Sequence, residues 1–489
     1  MIWLDNIRTG LRNWLLPIDY ENYERQVMLR MYQARNQYRI GQQRQTMRVK
    51  PEQADDNLTL NFTGLIIDRG ISMLMGNGVD FDFGEDEADA REEYIDAIIE
   101  ANTYPIFLHK LAQLGGTYGT AYVKIMPNGL PGNMPRLIPL NPQWLMIDSL
   151  PSDMDTVYRY TIQYTAEDEE TEKQVAYKEV TERLRTVEGF ADSWSIKNYV
   201  MREGSKWELV SDVLWPYEFA PICHWQNLPE AESTYGDPDI TDDMIVIQDA
   251  VNFVASNIQR IIRYHAHPKT WGRGFNASSQ VSWGADDMVT INGADAMIQN
   301  LEMQSDLASS REFLHYLRGI LFDISRTVDL SSMTDSLGAL TNFALRVLYK
   351  DALDKLASKR ELYGWGLAEI NRRCLLLAGI ATDTGGEVVW PDPLPLNEAE
   401  QATTVQTDLG AGIVSKQTAS ETRGYDWETE QQRMEEEQTT QGNIGEQLLT
   451  AFSQGRGGSN FGRQPAQQQP AEQAAEEAQV ATQSETRQR

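Results

Sequence analysis

Hydrophobic positions recur at helical spacing in several separate stretches of this chain and at strand spacing in one. From Asn61 to Met75, the residues Leu65, Ile66, Ile67, Ile71 and Leu74 predict a buried helix, stopped by Gly76-Asn77-Gly78. A second helical pattern covers Ile106 to Leu114 and ends at Gly115-Gly116. Between Thr120 and Trp225 the period changes. The runs Ala121 to Met126, Leu137 to Leu140 and Val157 to Thr165 alternate with turn signals at Asn128-Gly129, Asn141-Pro142 and Glu167 to Glu170. Trp194 to Met201 and Lys206 to Val213 read as a hairpin about Glu203-Gly204. This stretch predicts a mostly antiparallel β-region set on helices.

Two long helices are expected next. The first runs from Thr241 to His267, where Pro268 ends it, with Thr241 or Asp242 as its cap and Asp242 and Asp243 in its first turn. Its apolar residues Met244, Ile247, Val251, Val254, Ile258 and Ile261 are spaced 3, 4, 3, 4, 3, a heptad seam. The second runs from Ser305 to Val328 with Leu307, Leu314, Leu317, Leu321, Ile324 and Val328 spaced 7, 3, 4, 3, 4. Such matched seams favour an antiparallel pair. The 37 residues from Pro268 to Gln304 exceed what a helical hairpin needs, so they form a small module of their own. Within it, Met288 to Ile291, Asn292-Gly293 and Ala294 to Leu301 predict a β-hairpin.

The stretch from Asp329 to Gly338 is polar and rich in small residues, and reads as an exposed loop. A third helical pattern follows from Thr341 to about Leu377, carrying Phe343, Val347, Leu348, Leu356 and Ile370, with Gly364 and Gly366 as expected bends. Two acidic helices are predicted at Asn397 to Leu409 and Ser415 to Gln438, separated by Gly410-Ala411-Gly412. Residues 441–489 hold 11 Gln in 49 positions and few large apolar side chains, the composition of a disordered tail.

Charge sharpens this picture. Of 489 residues, 43 are Lys or Arg and 72 are Asp or Glu, a net charge of −29, so the bulk surface repels phosphate and the chain is no generic DNA coat. Residues 1–50 are locally basic, with nine Lys or Arg against four acids. Arg25, Arg30, Arg35 and Arg39 read as a solvated helix face, or as contacts to nucleic acid or an acidic neighbour. Cys223 and Cys374, 151 positions apart, exclude a disulfide framework and a structural zinc cluster. The longest apolar run, Cys374 to Ala381, is far short of the ~18 residues of a membrane span, and Asp5, Arg8 and Arg12 interrupt the N-terminal apolar stretch that a secretory signal needs.

Catalytic patterns are wanting. The chain has no Gly-Lys dipeptide, hence no P-loop, and no Gly-x-Ser-x-Gly elbow. Gly272-Arg273-Gly274-Phe275-Asn276-Ala277 matches a dinucleotide fingerprint in form only, with neither a hydrophobic strand before it nor a helical pattern after it. His109, His224, His265, His267 and His315 never adopt a metal-binding helical spacing. Cys223-His224 reads as packing, because adjacent strand side chains diverge. Asp242-Asp243, Asp286-Asp287 and Asp80/Asp82 are as well explained by caps and turns as by a divalent cation. No metal, cofactor or catalytic residue is therefore expected.

Two matched helices with an inserted module, a loop and a long bent helix resemble the portal, or head-to-tail connector, proteins of tailed double-stranded DNA phages. The residues that carry the likeness are Asn61 to Val79, Gly119-Thr120-Ala121-Tyr122-Val123-Lys124 and Tyr235-Gly236-Asp237-Pro238-Asp239. Asp335-Ser336-Leu337-Gly338-Ala339-Leu340 and Gly412-Ile413-Val414-Ser415-Lys416-Gln417-Thr418 add to it. The resemblance covers roughly residues 20 to 438 and rests on the order of elements more than on any single string.

The resemblance implies an α+β subunit of a twelve-fold ring around a channel. Its parts would be a wing (1–240), stem helices (241–267 and 305–328), a clip (268–304), a tunnel loop (329–340), a long bent wing helix (341–380), a crown (381–440) and the glutamine-rich tail. The tunnel loop would face DNA with Asp329, Leu330, Ser331, Ser332, Met333, Thr334, Asp335 and Ser336. It holds no Lys or Arg, which suits low-friction sliding, and Arg326 and Arg346 flank it as candidate phosphate contacts. The seam residues, among them Met244, Ile247, Val251, Val254, Ile258, Ile261, Leu314, Leu317, Leu321 and Ile324, would pack between subunits. Lys269, Trp271, Arg273 and Trp283 are candidates for docking at the clip. Implied partners are other copies of the chain, double-stranded DNA, the terminase large subunit, a head-tail adaptor, and the major capsid and scaffolding proteins, with no membrane. The implied location is the portal vertex of the virion, and the host cytoplasm during assembly. An oligomeric coiled-coil scaffold or adaptor is the alternative, and a metal-dependent hydrolase using Asp286, Asp287, His265 and His267 is a more distant one.

Overall fold

The computed structural model describes residues 20–49, 55–84, 90–167, 173–186, 189–202, 206–266, 270–273, 297–300, 307–329, 342–394 and 398–434. Helices and antiparallel sheets both contribute, so the fold is α+β as the hydrophobic periods predict. Helix α1 (Tyr20–Arg39) precedes α2 (Phe62–Met75), and Asn61 caps α2 by accepting from the Gly64 amide. The predicted apolar face is buried at Ile66, Ile67, Ile71 and Leu74, whereas Leu65 points outward and is 37% exposed. A short strand β1 (Asp80–Asp82) leads to α3 (Ala90–Ala101) and α4 (Tyr104–Tyr118).

The β-region contains a sheet of order β3-β2-β9, built from β2 (Thr120–Leu130), β3 (Met134–Pro139) and β9 (Ile222–Gln226). Five further strands form a meander in chain order: β4 (Leu145–Leu150), β5 (Asp153–Glu167), β6 (Gln174–Thr186), β7 (Gly189–Met201) and β8 (Glu208–Trp215). The expected hairpin is β7 with β8, in which Ile196 lies opposite Val213. Alternation along β2 and β9 sorts side chains into two cores. Ala121, Val123, Ile125, Cys223 and Trp225 face a helical core with Ile67, Leu111, Leu367 and Ile370. Tyr122 and Ile222 face the meander, against Leu145, Tyr160, Trp194 and Trp215.

Helix α5 (Asp242–Ala266) and helix α6 (Leu307–Ser325) are within a few residues of their predicted bounds. They run antiparallel: Met244, in the first turn of α5, packs in one cluster with Leu321 and Phe322 in the last turn of α6. Between them, β10 (Thr270–Arg273) pairs antiparallel with β11 (Met297–Asn300). The predicted hairpin about Asn292-Gly293 is thus seen only in its second arm, whose described partner is β10; residues 288–291 lie outside the described residues. Gly272 and Arg273 stand inside a strand, and the rest of the formal dinucleotide motif lies outside the described residues.

The third helical pattern is two helices, α7 (Asn342–Leu348) and α8 (Lys350–Leu377), divided at Tyr349. Helix α8 runs without a break through Gly364 and Gly366, the two positions expected to bend it. A Cβ on Gly366 would stand 2.3 Å from the Trp225 ring, and one on Gly115 would stand 2.0 Å from the Tyr363 hydroxyl. These glycines admit a neighbouring side chain, and α4 accordingly continues past Gly115-Gly116 to Tyr118. Strand β12 (Glu387–Val389) pairs with β1.

The described residues 398–434 belong to a second compact unit. It contains α9 (Glu398–Ala411) and α10 (Lys416–Thr422), the latter capped by Ser415 through the Thr418 amide. The second acidic helix predicted here is split: Gly424 takes a positive φ of 78°, and helix resumes at 427–434.

Candidate functional site

The described residues bring together the start of α5, the end of α6 and the polypeptide that leads into the segment 330–340. Helix α6 stops three residues earlier than its seam predicts. Arg326 adopts φ 56°, its amide donates to the Asp323 carbonyl, and Thr327 N–H donates to the Phe322 carbonyl, closing the last turn as a left-handed cap. Two of the residues after this cap, Val328 and Asp329, are held by two arginines, one from α2 and one from α6 itself. Arg69 of α2 donates to the Val328 carbonyl at 2.7 Å, and Arg318 of α6 pairs with the Asp329 carboxylate at 2.7 Å. Both guanidiniums lie against the Phe322 ring, at 5.4 and 5.6 Å, and Arg318 also lies 5.0 Å from Phe62. Asp329 is therefore an anchor at the base of the segment that follows α6.

Beneath this base sits a buried ionic cluster. Asp239, three residues before α5, receives Lys359 at 2.6 Å and Lys355 at 2.9 Å, both from α8. Lys355 also donates to the Ser325 carbonyl at 3.1 Å, joining the cluster to the end of α6. Burial pushes the Asp239 carboxyl up, but the two lysines outweigh it and hold the group at about 2. Burial likewise lowers Lys359, and Asp239 only partly restores it. Nothing in the sequence pattern singles out Lys355 or Lys359, because both lie on a long helix rich in charge.

The opposite side of α5 holds a second feature that the seam does not reveal. Gln248, Asn252 and Ser256, at i, i+4 and i+8, are all buried. They bond to an extended segment, with Leu58 N–H donating to Ser256, Leu60 N–H donating to Asn252, and Gln248 donating to the Leu60 carbonyl. Below them, Asp56, 3% exposed, pairs with Arg260 and Arg263. The signal in the sequence is a polar stripe of the period of a helix face, which an apolar template passes over.

Of the seam residues, Met244, Val251, Leu317 and Leu321 are buried within the chain. Ile247, Val254, Ile258, Ile261 and Leu314 are half-buried, and Ile324 is 41% exposed. The large apolar side chains left uncovered lie off the seam: Val246, Phe253 and Ile262 on α5, and Phe313 and Tyr316 on α6, at 48 to 68% exposure. Arg326 is exposed, and Arg346 pairs with Asp392 at 2.5 Å. Trp271 and Arg273 belong to β10. Lys269, Trp283 and residues 330–336 lie outside the described residues.

The basic N-terminal stretch finds partners within the chain. Arg35 meets Asp242 at 3.9 Å, Arg25 bonds to the Gln163 side chain and carbonyl, and Arg39 bonds to Asn36. Cys223 and Cys374 are buried free thiols, pushed up by burial to about 11 and about 12. His224 points to the other side of β9, where Tyr160 bonds to its Nδ1 at 2.9 Å and burial lowers it to about 4. The two adjacent side chains do diverge, and neither is poised as a nucleophile or base. Asp243 accepts from the Met244 amide in the first turn of α5, and Asp82 accepts from Gly84 N–H. Among the described residues, no group of three or more His, Cys, Asp or Glu could hold a metal ion, and no helix is long and apolar enough to cross a membrane. Asp286, Asp287 and His267 lie outside the described residues.

Arg326 lends itself to a test. A left-handed conformation costs a non-glycine residue roughly 1–2 kcal/mol, which glycine avoids. Arg326→Gly is expected to leave stability within about 1 kcal/mol of the parent, since glycine also loses more chain entropy on folding. Urea unfolding measures this, and a larger loss would mean that the guanidinium holds the fold together.

Comparison with known sequences bears on the whole arrangement. No curated protein matches the chain. The family model described as Phage portal protein, SPP1 Gp6-like, matches residues 18–443, which include every element described above. By that match, over the greater part of its length, the chain belongs to the phage portal protein family.

Proposed function

We propose that the chain assembles into a twelve-fold ring at one capsid vertex and serves as the conduit for double-stranded DNA during packaging and ejection. In this reading α5 and α6 form the stem, the β10–β11 module belongs to the clip that receives the terminase and later the adaptor, and residues 329–340 face the channel. The same ring would nucleate capsid assembly with the scaffolding and major capsid proteins. The protein would act without catalysis or a cofactor, leaving ATP hydrolysis to the terminase.

The observation that carries this reading is the antiparallel pair α5 and α6, which leaves Val246, Phe253, Ile262, Phe313 and Tyr316 uncovered in the single chain. Scattered apolar residues on a surface are ordinary, but five large ones left exposed on two paired helices ask for partners, and the neighbouring copies on either side supply them all round a ring. The anchors at Val328 and Asp329 suit the same reading: a loop that meets moving DNA needs a fixed base.

Negative-stain electron microscopy with class averaging tests the reading directly. Rings with a central channel are expected from the parent chain, and compact monomers or rods would overturn the proposal. Phe253→Asp is expected to abolish rings while leaving the circular dichroism spectrum unchanged, because the side chain is half exposed in the subunit. Burying a Phe contributes about 1.5–3 kcal/mol, so each interface would weaken tenfold or more. Val254→Asp is a less clean probe, since Val254 is half-buried within its own chain. Intact rings from Phe253→Asp would remove this face of α5 from the interface.

A further inference from the structure

The junction of α3 with α4, the end of β2 and strand β3 border a groove that the reading above leaves unused. It encloses about 640 Å³, with Ile106, Phe107, Leu130 and Pro139 along its floor and Lys110 and Arg136 on its rim. Ile106, in the first turn of α4, is 55% exposed. The walls are fixed to one another by Asn102, which donates to the Ile98 and Pro135 carbonyls at 2.9 and 3.0 Å and accepts from Leu137 N–H at 2.8 Å. The groove is therefore formed before anything enters it.

Its charge is opposite to that of the chain. Lys110 and Arg136 are both exposed and have no ion-pair partner among the described residues, and no Asp or Glu lines the groove. The whole chain carries −29. An acidic molecule is repelled by most of this surface and finds two uncompensated cations here.

We propose that this groove docks an acidic segment of a partner protein, which places carboxylates on Lys110 and Arg136 and an apolar side chain against Ile106 and Phe107. A polypeptide fits better than nucleic acid. Nucleic-acid affinity grows with the number of phosphates neutralised, and two cations offer little of it, whereas the apolar floor gives a phosphate backbone nothing to bury. An acidic peptide with a Leu or Ile uses both halves of the groove, as a small interface with an apolar centre and a polar rim does. The proposal stands apart from the ring reading and would hold for a single subunit.

The test uses the full chain and fluorescence anisotropy at physiological salt. The probe is a labelled synthetic peptide of repeating Glu-Glu-Leu-Leu, beside its Lys-for-Glu counterpart and a thymidine oligonucleotide. The Glu peptide is expected to bind the parent and to lose at least about tenfold in affinity, ~1.4 kcal/mol, to the variant Lys110→Glu/Arg136→Glu. The Lys peptide should bind that variant in its place. Ile106→Ser, which keeps both cations, should weaken the Glu peptide several-fold. Equal binding of the Glu peptide to parent and charge-reversed chains, no binding at all, or a preference for the oligonucleotide would each overturn the proposal. All three substituted side chains are exposed, so the variants are expected to fold.

Discussion

Asp239→Asn is expected to destabilise the chain by about 3–5 kcal/mol, the cost of breaking a buried ion pair from one side. Asp239 and Lys359 are 5% and 4% exposed and meet at 2.6 Å. With the carboxylate gone, Lys359 keeps its charge in a site that disfavours it, and Lys355 loses the anion that steers it toward the Ser325 carbonyl. Urea unfolding measures the loss. Asp239→Asn combined with Lys359→Met should recover part of it, because the more deeply buried of the two unpaired ammonium groups is then gone and only the partly exposed Lys355 remains without its anion.

The same pair sets a pH dependence. The carboxyl sits at about 2 in the folded chain against 3.8 ordinarily, so its contribution is fully present above about pH 4 and is lost as pH falls toward 2. That shift corresponds to roughly 2–3 kcal/mol. The stability gap between the parent and Asp239→Asn is therefore expected to be flat from neutral pH down to about 4 and to narrow by about that amount below it. A gap that stays constant through this window would show that the ion pair is not its source.

Gly119→Ala is expected to cost roughly 3 kcal/mol, from two causes that add. Gly119 takes φ 97°, where a side chain costs about 1–2 kcal/mol. Its Cβ would also stand 2.1 Å from the Gly236 carbonyl oxygen, and relieving such an overlap typically costs a further 1–3 kcal/mol. The loop that must yield, residues 236–238, leads directly into Asp239, whose amide donates to the Gly116 carbonyl at 2.8 Å. Displacing it disturbs the ionic cluster, so Gly119→Ala and Asp239→Asn should be non-additive in a double-mutant cycle. Thermal unfolding of the two single variants and the double variant decides it: additive losses, or a loss below about 1 kcal/mol for Gly119→Ala, would separate the two sites.

This contact explains a feature of the sequence that pattern alone left unconnected. The strings Gly119-Thr120-Ala121 and Tyr235-Gly236-Asp237-Pro238-Asp239 lie more than a hundred residues apart. In the fold they form one joint: Gly236 N–H donates to Thr120 Oγ1, and Gly116 leaves room for the Asp239 carboxylate, which would stand 2.6 Å from a Cβ there. The tight backbone approach that requires glycine on both sides is a property of the pair.

Local periodicity was enough to predict α2, α5, α6, the hairpin of β7 with β8 and the α+β class, because amphipathic spacing is dictated by which face a helix or strand must bury. Together with the order of these elements it also pointed to the family, which the match over residues 18–443 bears out. Spacing could not say which partner covers a face. The tertiary structure decided that Gln248, Asn252 and Ser256 line the inner side of α5, that Phe253 and Tyr316 stay exposed, and that Gly366 makes room for the Trp225 ring. It also decided that Asp329 is tied to Arg318 and that Asp239 collects two lysines from α8. Each of these depends on groups distant in the chain arriving within hydrogen-bond or van der Waals reach. A one-dimensional pattern records the need of a residue to be buried or paired, and only the packed chain determines with what.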